Sequence, residues 1–226
     1  IGADPLRIAS LNRRMRMALP QVDAARAAID IALHDIAGKA LDVPVYQLLG
    51  GLSRERIPLS YSIPYGTAEE AATFARACVK AGYQTVKIKI GLSPERDVEA
   101  MRQVRAAVGP DVIVRVDANM ALADVEAAVK LCEAIKPYDP ELLEQPLPPE
   151  QLADIARIRA RSRVPIMLDE SIRSPEETLR AIYSKSARTR KLSYASGDTP
   201  SKTAFLPANI CKSFKIKRSL TKSFLS

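Results

Sequence analysis

Residues 85–91 read Thr-Val-Lys-Ile-Lys-Ile-Gly. Successive side chains of an extended chain point to opposite faces, so Lys87 and Lys89 share one face while Val86, Ile88 and Ile90 share the other. A solvated edge strand would suit such lysines, but the apolar partner face and the sequence on either side suit a central strand of a parallel sheet. If that sheet closes into a barrel, the lysine face is interior, where two unpaired ammonium groups are costly. Mutual repulsion and partial burial are then expected to lower both pKa values and make one lysine a general base near neutral pH.

Working outward, short apolar runs at 57–63, 85–90, 112–116, 141–143 and 165–168 alternate with amphipathic segments at about 68–81, 94–108, 121–135 and 149–162, and another begins near Pro175. This alternation predicts βαβ units and a parallel sheet buried on both faces. Lys89, Asp117, Glu144 and Asp169 stand at or just past the ends of successive strands, 28, 27 and 25 residues apart. Charges at the carboxyl ends of strands converge in a (β/α)8 barrel, whereas an open doubly wound sheet spreads them along an edge. The expected fold is therefore an α/β, (β/α)8 barrel, incomplete at about five βα units. Upstream, residues 22–40 carry Ala25, Ala28, Ile29, Ala32, Leu33 and Ile36 at helical spacing, and Gly50-Gly51 supplies a later helix stop.

Three carboxylates brought together without histidine or thiolate form a hard oxygen site, suited to Mg2+ or Mn2+ rather than zinc. Asp117, Glu144 and Asp169 are the expected ligands, although any one alone reads equally as a helix cap or an arginine partner. His34 is the only histidine, which excludes sites built on two. Cys78, Cys132 and Cys211 are too few for a disulfide framework, and the first two fall in helical patterns as buried thiols.

The 226 residues are 47% hydrophobic and 27% charged, a globular composition. The net charge of +8 is unevenly distributed: residues 1–181 hold 24 basic and 25 acidic side chains, whereas 182–226 hold ten basic side chains and only Asp198. No apolar run approaches a membrane span and no secretory leader opens the chain, so a cytoplasmic protein is expected.

Four segments, TVKIKIG (85–91), RVDANM (115–120), LEQPL (143–147) and PIMLDES (165–171), resemble the enolase superfamily. Within it the resemblance is to the mandelate racemase/muconate-lactonizing enzyme family, closest to its muconate cycloisomerase subgroup. Residues 32–51 also resemble the helix that closes this family's α+β capping domain. The resemblance implies that Asp117, Glu144 and Asp169 bind Mg2+, that Lys89 moves the proton alpha to a substrate carboxylate, and that Lys87 tunes Lys89 and touches substrate. Asn119 and Glu170 would support the metal and base from behind. The expected activity is a cycloisomerase, racemase or epimerase acting on a small carboxylate through an enolate. A dehydratase of the acid-sugar or succinylbenzoate type is the alternative on the same scaffold.

The chain also departs from the family pattern. His34 stands where Trp is common and Met120 where Gln is common. The family's second catalytic lysine, some 25 residues past Asp169, would fall near Tyr194, and Lys215 and Lys217 lie too far on. The division expected is 1–56 as closing helices of the capping domain, 57–181 as barrel strands one to five, and 182–226 as a basic, Ser-rich tail foreign to the fold, such as a frameshift would leave. A third reading is thus a non-catalytic fragment, or a binding protein whose basic tail meets nucleic acid or an anionic membrane. The near-neutral first 181 residues argue against nucleic-acid and membrane partners, and a homo-oligomer is expected of the parent enzyme.

Overall fold

The computed structural model describes residues 2–20 and 22–186. The sequence expectations for Tyr194, Lys215, Lys217, Cys211 and nearly all of the basic tail lie outside them. Two compact units divide after Ile57.

The first unit holds three helices, α1 (Ile8–Ala18), α2 (Asp23–Leu41) and α3 (Val45–Leu48). Helix α1 is additional to the expected 22–40 helix, and Asn12 ties it to Asp30 of α2 through a 2.6 Å hydrogen bond. Helix α2 ends where Asp42 turns left-handed, and Val43 N–H donates back to the Gly38 carbonyl at 2.9 Å. A Cβ on Gly38 would lie 2.8 Å from the Val43 carbonyl oxygen, so the close turn requires glycine there. His34 is held on its own helix, its Nδ1 2.9 Å from the Asp30 carbonyl.

The second unit is a five-stranded parallel sheet in which β1 (Ser60–Ile63), β2 (Thr85–Lys89), β3 (Ile113–Asp117), β4 (Leu143–Glu144) and β5 (Ile166–Met167) pair in chain order. A doubly wound sheet reverses strand order part-way, and this one does not. The unit is the incomplete barrel expected, its crossovers made by α4 (Ala68–Lys80), α5 (Pro94–Val108), α6 (Val125–Ile135) and α7 (Leu152–Arg161), with α8 (Pro175–Tyr183) after β5.

Side-chain caps set most helix starts in this unit. Thr67 forms a reciprocal capping box with Glu70 on α4, while Ser93, Asp124 and Ser174 accept from N–H groups in the first turns of α5, α6 and α8. The Asp124 cap explains why α6 starts later than the apolar pattern suggested: residues 121–124 instead form a loop in which Leu122 N–H reaches the Pro146 carbonyl at 3.2 Å. Before α7, residues Pro149–Gln151 form a single 3-10 turn.

The core lies between sheet and helices. Val86, Ile88 and Ile90 of the β2 segment are buried with Val114, Val116 and Leu143 against Ala71, Ala75 and Cys78 of α4, Ala100, Met101 and Val104 of α5, and Leu131 and Cys132 of α6. The apolar face of 85–91 therefore meets the helices, which leaves Lys87 and Lys89 on the opposite face. Cys78 and Cys132 are buried free thiols, raised in pKa by burial. At the amino ends of the strands Arg105 donates to the carbonyls of Tyr138, Gly109, Val112 and Asp139. Among the described residues no helix is long and apolar enough to cross a membrane.

Candidate active site

Parallel register brings the strand-end charges together. Lys89 of β2 pairs with Asp117 of β3, and Asp117 in turn with Glu144 of β4. Lys87 Nζ lies 2.8 Å from both Asp117 Oδ2 and Glu144 Oε2, and Lys89 Nζ lies 2.7 Å from the same Asp117 oxygen. The carboxylates are almost sealed, with side-chain exposures of 1% for Asp117 and 5% for Glu144. One carboxylate thus bridges two lysines, and one lysine bridges two carboxylates.

From this network a polar chain continues. Lys89 Nζ donates to Asn119 Oδ1, and Asn119 Nδ2 donates to Glu170 Oε1 at 3.0 Å. Asn119 sits at φ +42, where its own N–H reaches Asp117 Oδ1 at 3.0 Å. The second oxygen of Glu170 is buried without a hydrogen-bond partner.

Lys87 departs from expectation. Burial pushes its pKa down, but Glu144 and Asp117 more than offset this, and the net direction is up. Mutual repulsion between the lysines does not dominate because carboxylates lie between them. Asp117 feels the reverse balance: burial raises its pKa, the two lysines lower it, and the lysines prevail. At Glu144 burial prevails, helped by Asp117 and Asp169, so its carboxyl is raised despite Lys87.

As the side chains are placed, no three acidic, histidine or cysteine side chains among the described residues are close enough to cage a metal ion. The Lys87 ammonium group stands between Asp117 and Glu144 instead, and Lys89 caps the same Asp117 oxygen. The donor chemistry nevertheless fits a hard divalent cation. Asp117, Glu144, Asp169 and Glu170 offer only carboxylate oxygens at or just past the ends of β3, β4 and β5, and Glu170 holds an orphaned buried oxygen.

Sequence reasoning missed several groups that hold this arrangement. Arg96 Nη1 donates to the Lys89 carbonyl at 2.7 Å and its Nε to the Gly66 carbonyl at 3.0 Å, fixing the end of β2. Buried Asp97 accepts from Gly91 N–H at 2.7 Å. The Tyr65 hydroxyl donates to the Ile90 carbonyl at 3.4 Å, and burial and Asp117 raise its pKa. Buried Gln145 links the ends of β4 and β5. A signal for Arg96 and Asp97 was their place in the first turn of a helix just past the lysine strand.

Residues 70–200 match the model of the enolase C-terminal domain-like family, and residues 1–50 match the mandelate racemase/muconate lactonizing enzyme N-terminal domain. The chain belongs to the mandelate racemase/muconate lactonizing enzyme family. Among relatives in this family, the N-succinyl-L-Arg/Lys racemase of Bacillus cereus is 33% identical over 187 residues, 83% of this chain and 51% of the racemase. Muconate cycloisomerase 1 of Acinetobacter baylyi is 34% identical over 178 residues, 78% of this chain and 48% of that enzyme. The solved structure of a dipeptide epimerase from Enterococcus faecalis complexed with Mg and the dipeptide L-Leu-L-Tyr superposes with a TM-score of 0.78 at 33% identity, covering 82% of this chain and 52% of that one. The chain thus spans about half the length of the family members it matches.

Proposed function

We propose that this chain carries the metal- and base-bearing strands of a Mg2+-dependent isomerase, a racemase, epimerase or cycloisomerase, that removes the proton alpha to a substrate carboxylate. The observation that carries the reading is the shared placement of two lysines and the carboxylates at the carboxyl ends of adjacent parallel strands. Asp117, Glu144 and Asp169 would hold the cation, Mg2+ or alternatively Mn2+. When bound, the cation supplies positive charge beside a substrate carboxylate whose negative charge grows as the alpha proton leaves.

The chain's own groups divide the remaining work. Lys89 Nζ is the base: it stands at the strand end, and its contact with Asn119 fixes where the amine points. Its ion pair with Asp117 holds the amine at the carboxyl end of β2. Lys87, two residues earlier on the same face of β2, keeps a positive charge against Glu144 and Asp117. Glu170 and Asn119 hold Lys89 from behind through the chain of hydrogen bonds.

The N-succinyl-L-Arg/Lys racemase and dipeptide epimerases among the relatives suggest N-acylated amino acids or dipeptides as substrates. The test is alpha-proton exchange. With Mg2+ in deuterated water, N-succinyl-L-arginine or L-Ala-L-Glu should lose its alpha-proton NMR signal in the presence of the chain and keep it with Lys89→Ala. Exchange that survives Lys89→Ala removes the base assignment, and absence of exchange across both substrates with the unaltered chain removes the proposed activity.

A further inference from the structure

Gln145 lies beside the lysine–carboxylate cluster without belonging to it. It follows Glu144, is fully buried at 0% exposure, and takes φ +36, a left-handed conformation rarely adopted by a side-chain-bearing residue. Its carboxamide uses its full bonding capacity. Oε1 accepts from the Asp169 N–H at 2.9 Å and the Ser171 N–H at 3.2 Å, while Nε2 donates to the Leu147 carbonyl at 2.8 Å and to Ser171 Oγ at 2.7 Å. A carboxamide has two donor hydrogens and two acceptor lone pairs, so none is left over. The surroundings also fix its orientation, since a flipped amide would set its NH2 against two N–H donors. The Gln145 backbone joins a third strand end: its N–H donates to the Met167 carbonyl at 2.8 Å, and its carbonyl accepts from Met120 N–H at 2.8 Å.

The two N–H groups held by Oε1 belong to Asp169 and Ser171, on either side of Glu170. One buried oxygen therefore pins the backbone at both ends of the Asp169-Glu170 pair, a carboxylate expected to face the cation and one bonded to Asn119. We infer that Gln145 is a positioning residue for the cation site, setting the directions of Asp169 and Glu170 relative to Glu144. The inference rests on the metal reading given above. Strained backbone and a fully used buried amide in the residue after a ligand suit this role, because outer groups that orient ligands typically tune metal affinity by about 10- to 100-fold.

The probe is Mn2+, its free concentration read by electron paramagnetic resonance with the 226-residue chain. Gln145→Met keeps the length of the side chain and removes all four hydrogen bonds; it should weaken Mn2+ binding by about tenfold or more. Ser171→Ala removes one of the four and should weaken binding by less, which provides a milder variant if Gln145→Met folds poorly. Val104→Ala, in the α5 core away from the cluster, is the control for general destabilisation and should leave affinity within about twofold. Equal affinity in Gln145→Met and the unaltered chain overturns the role of Gln145 alone. So does a Val104→Ala variant that loses as much affinity as Gln145→Met. If the folded, unaltered chain binds no Mn2+, the metal reading itself fails and takes this inference with it.

Discussion

Replacing Lys87 with methionine tests the electrostatics of the cluster most directly. The ammonium group is the shared partner of Asp117 and Glu144, and its side chain is only 18% exposed, so solvent screens the pairing little. Removing one partner of a buried pair typically costs about 3–5 kcal/mol, because the charge left behind remains desolvated. Lys89 still neutralises Asp117 in the variant, which leaves Glu144 as the principal orphan and places the expected loss near 3 kcal/mol at neutral pH. For a chain of this size, such a loss lowers Tm by roughly 6–12 °C.

The pH dependence carries a sign that a packing defect would not. In the unaltered chain Asp117 is held below the ordinary carboxylate range, so its stabilisation is present at neutral pH and lost only as pH falls through that lowered value. Lys87 is held above the ordinary lysine range, so its share is present below that range and lost as pH rises through the raised value. Glu144 is already raised, and without Lys87 it rises further; as pH falls through it, protonation removes the orphan charge. The stability gap between the two proteins should therefore be widest near neutrality, narrow on acidification and narrow again in alkali. Urea unfolding followed by circular dichroism across this range measures it. A gap below about 1 kcal/mol at neutral pH, or one unchanged on acidification, would refute the reasoning.

Gly91 adopts φ +102, and a Cβ there would fall 2.5 Å from the Ala121 Cβ; Gly91→Ala should cost well over about 1 kcal/mol in the same unfolding assay, and a neutral result would show that the loop after β2 can shift. Cys78 and Cys132 are buried thiols with raised pKa, so peptide-resolved alkylation at neutral pH should label both only after urea is added. Labelling of either in the native protein at a rate near that in urea would contradict the packing of α4 and α6.

The fold was largely legible because its signals are local. Apolar runs alternate with amphipathic segments, and Ser93, Asp124 and Ser174 mark helix starts by the chemistry of their own side chains. Helix α1 was not expected, although Ile8, Leu11, Met15 and Ala18 of IASLNRRMRMA recur at helical spacing; the segment is short and arginine-rich, and it buries none of its residues fully. In the cluster, the common face of Lys87 and Lys89 followed from the period of two. Their neutralisation did not, because it depends on register: Lys87 meets Glu144 two strands away, and that distance cannot be read from spacing along the chain. Lysines imagined without partners were expected to be depressed in pKa, and carboxylates between them reverse the direction for Lys87. Gln145 was invisible for a similar reason, since a glutamine beside a proline in LEQPL gives no hint of a left-handed backbone or of three side-chain bonds to the end of the next strand.

The order of the sheet has a further consequence for how the chain is made. Each strand pairs only with those immediately before and after it in the sequence, and the intervening helices pack on the sheet they help to build. During synthesis from the amino end, a strand and its helix can thus dock as soon as the following strand has left the ribosome, with no wait for a distant partner. The acidic residues of the cluster, by contrast, emerge one unit at a time. Asp117 is released when Lys87 and Lys89 are already out to meet it, so each new buried negative charge arrives at a surface that already carries its counter-charge.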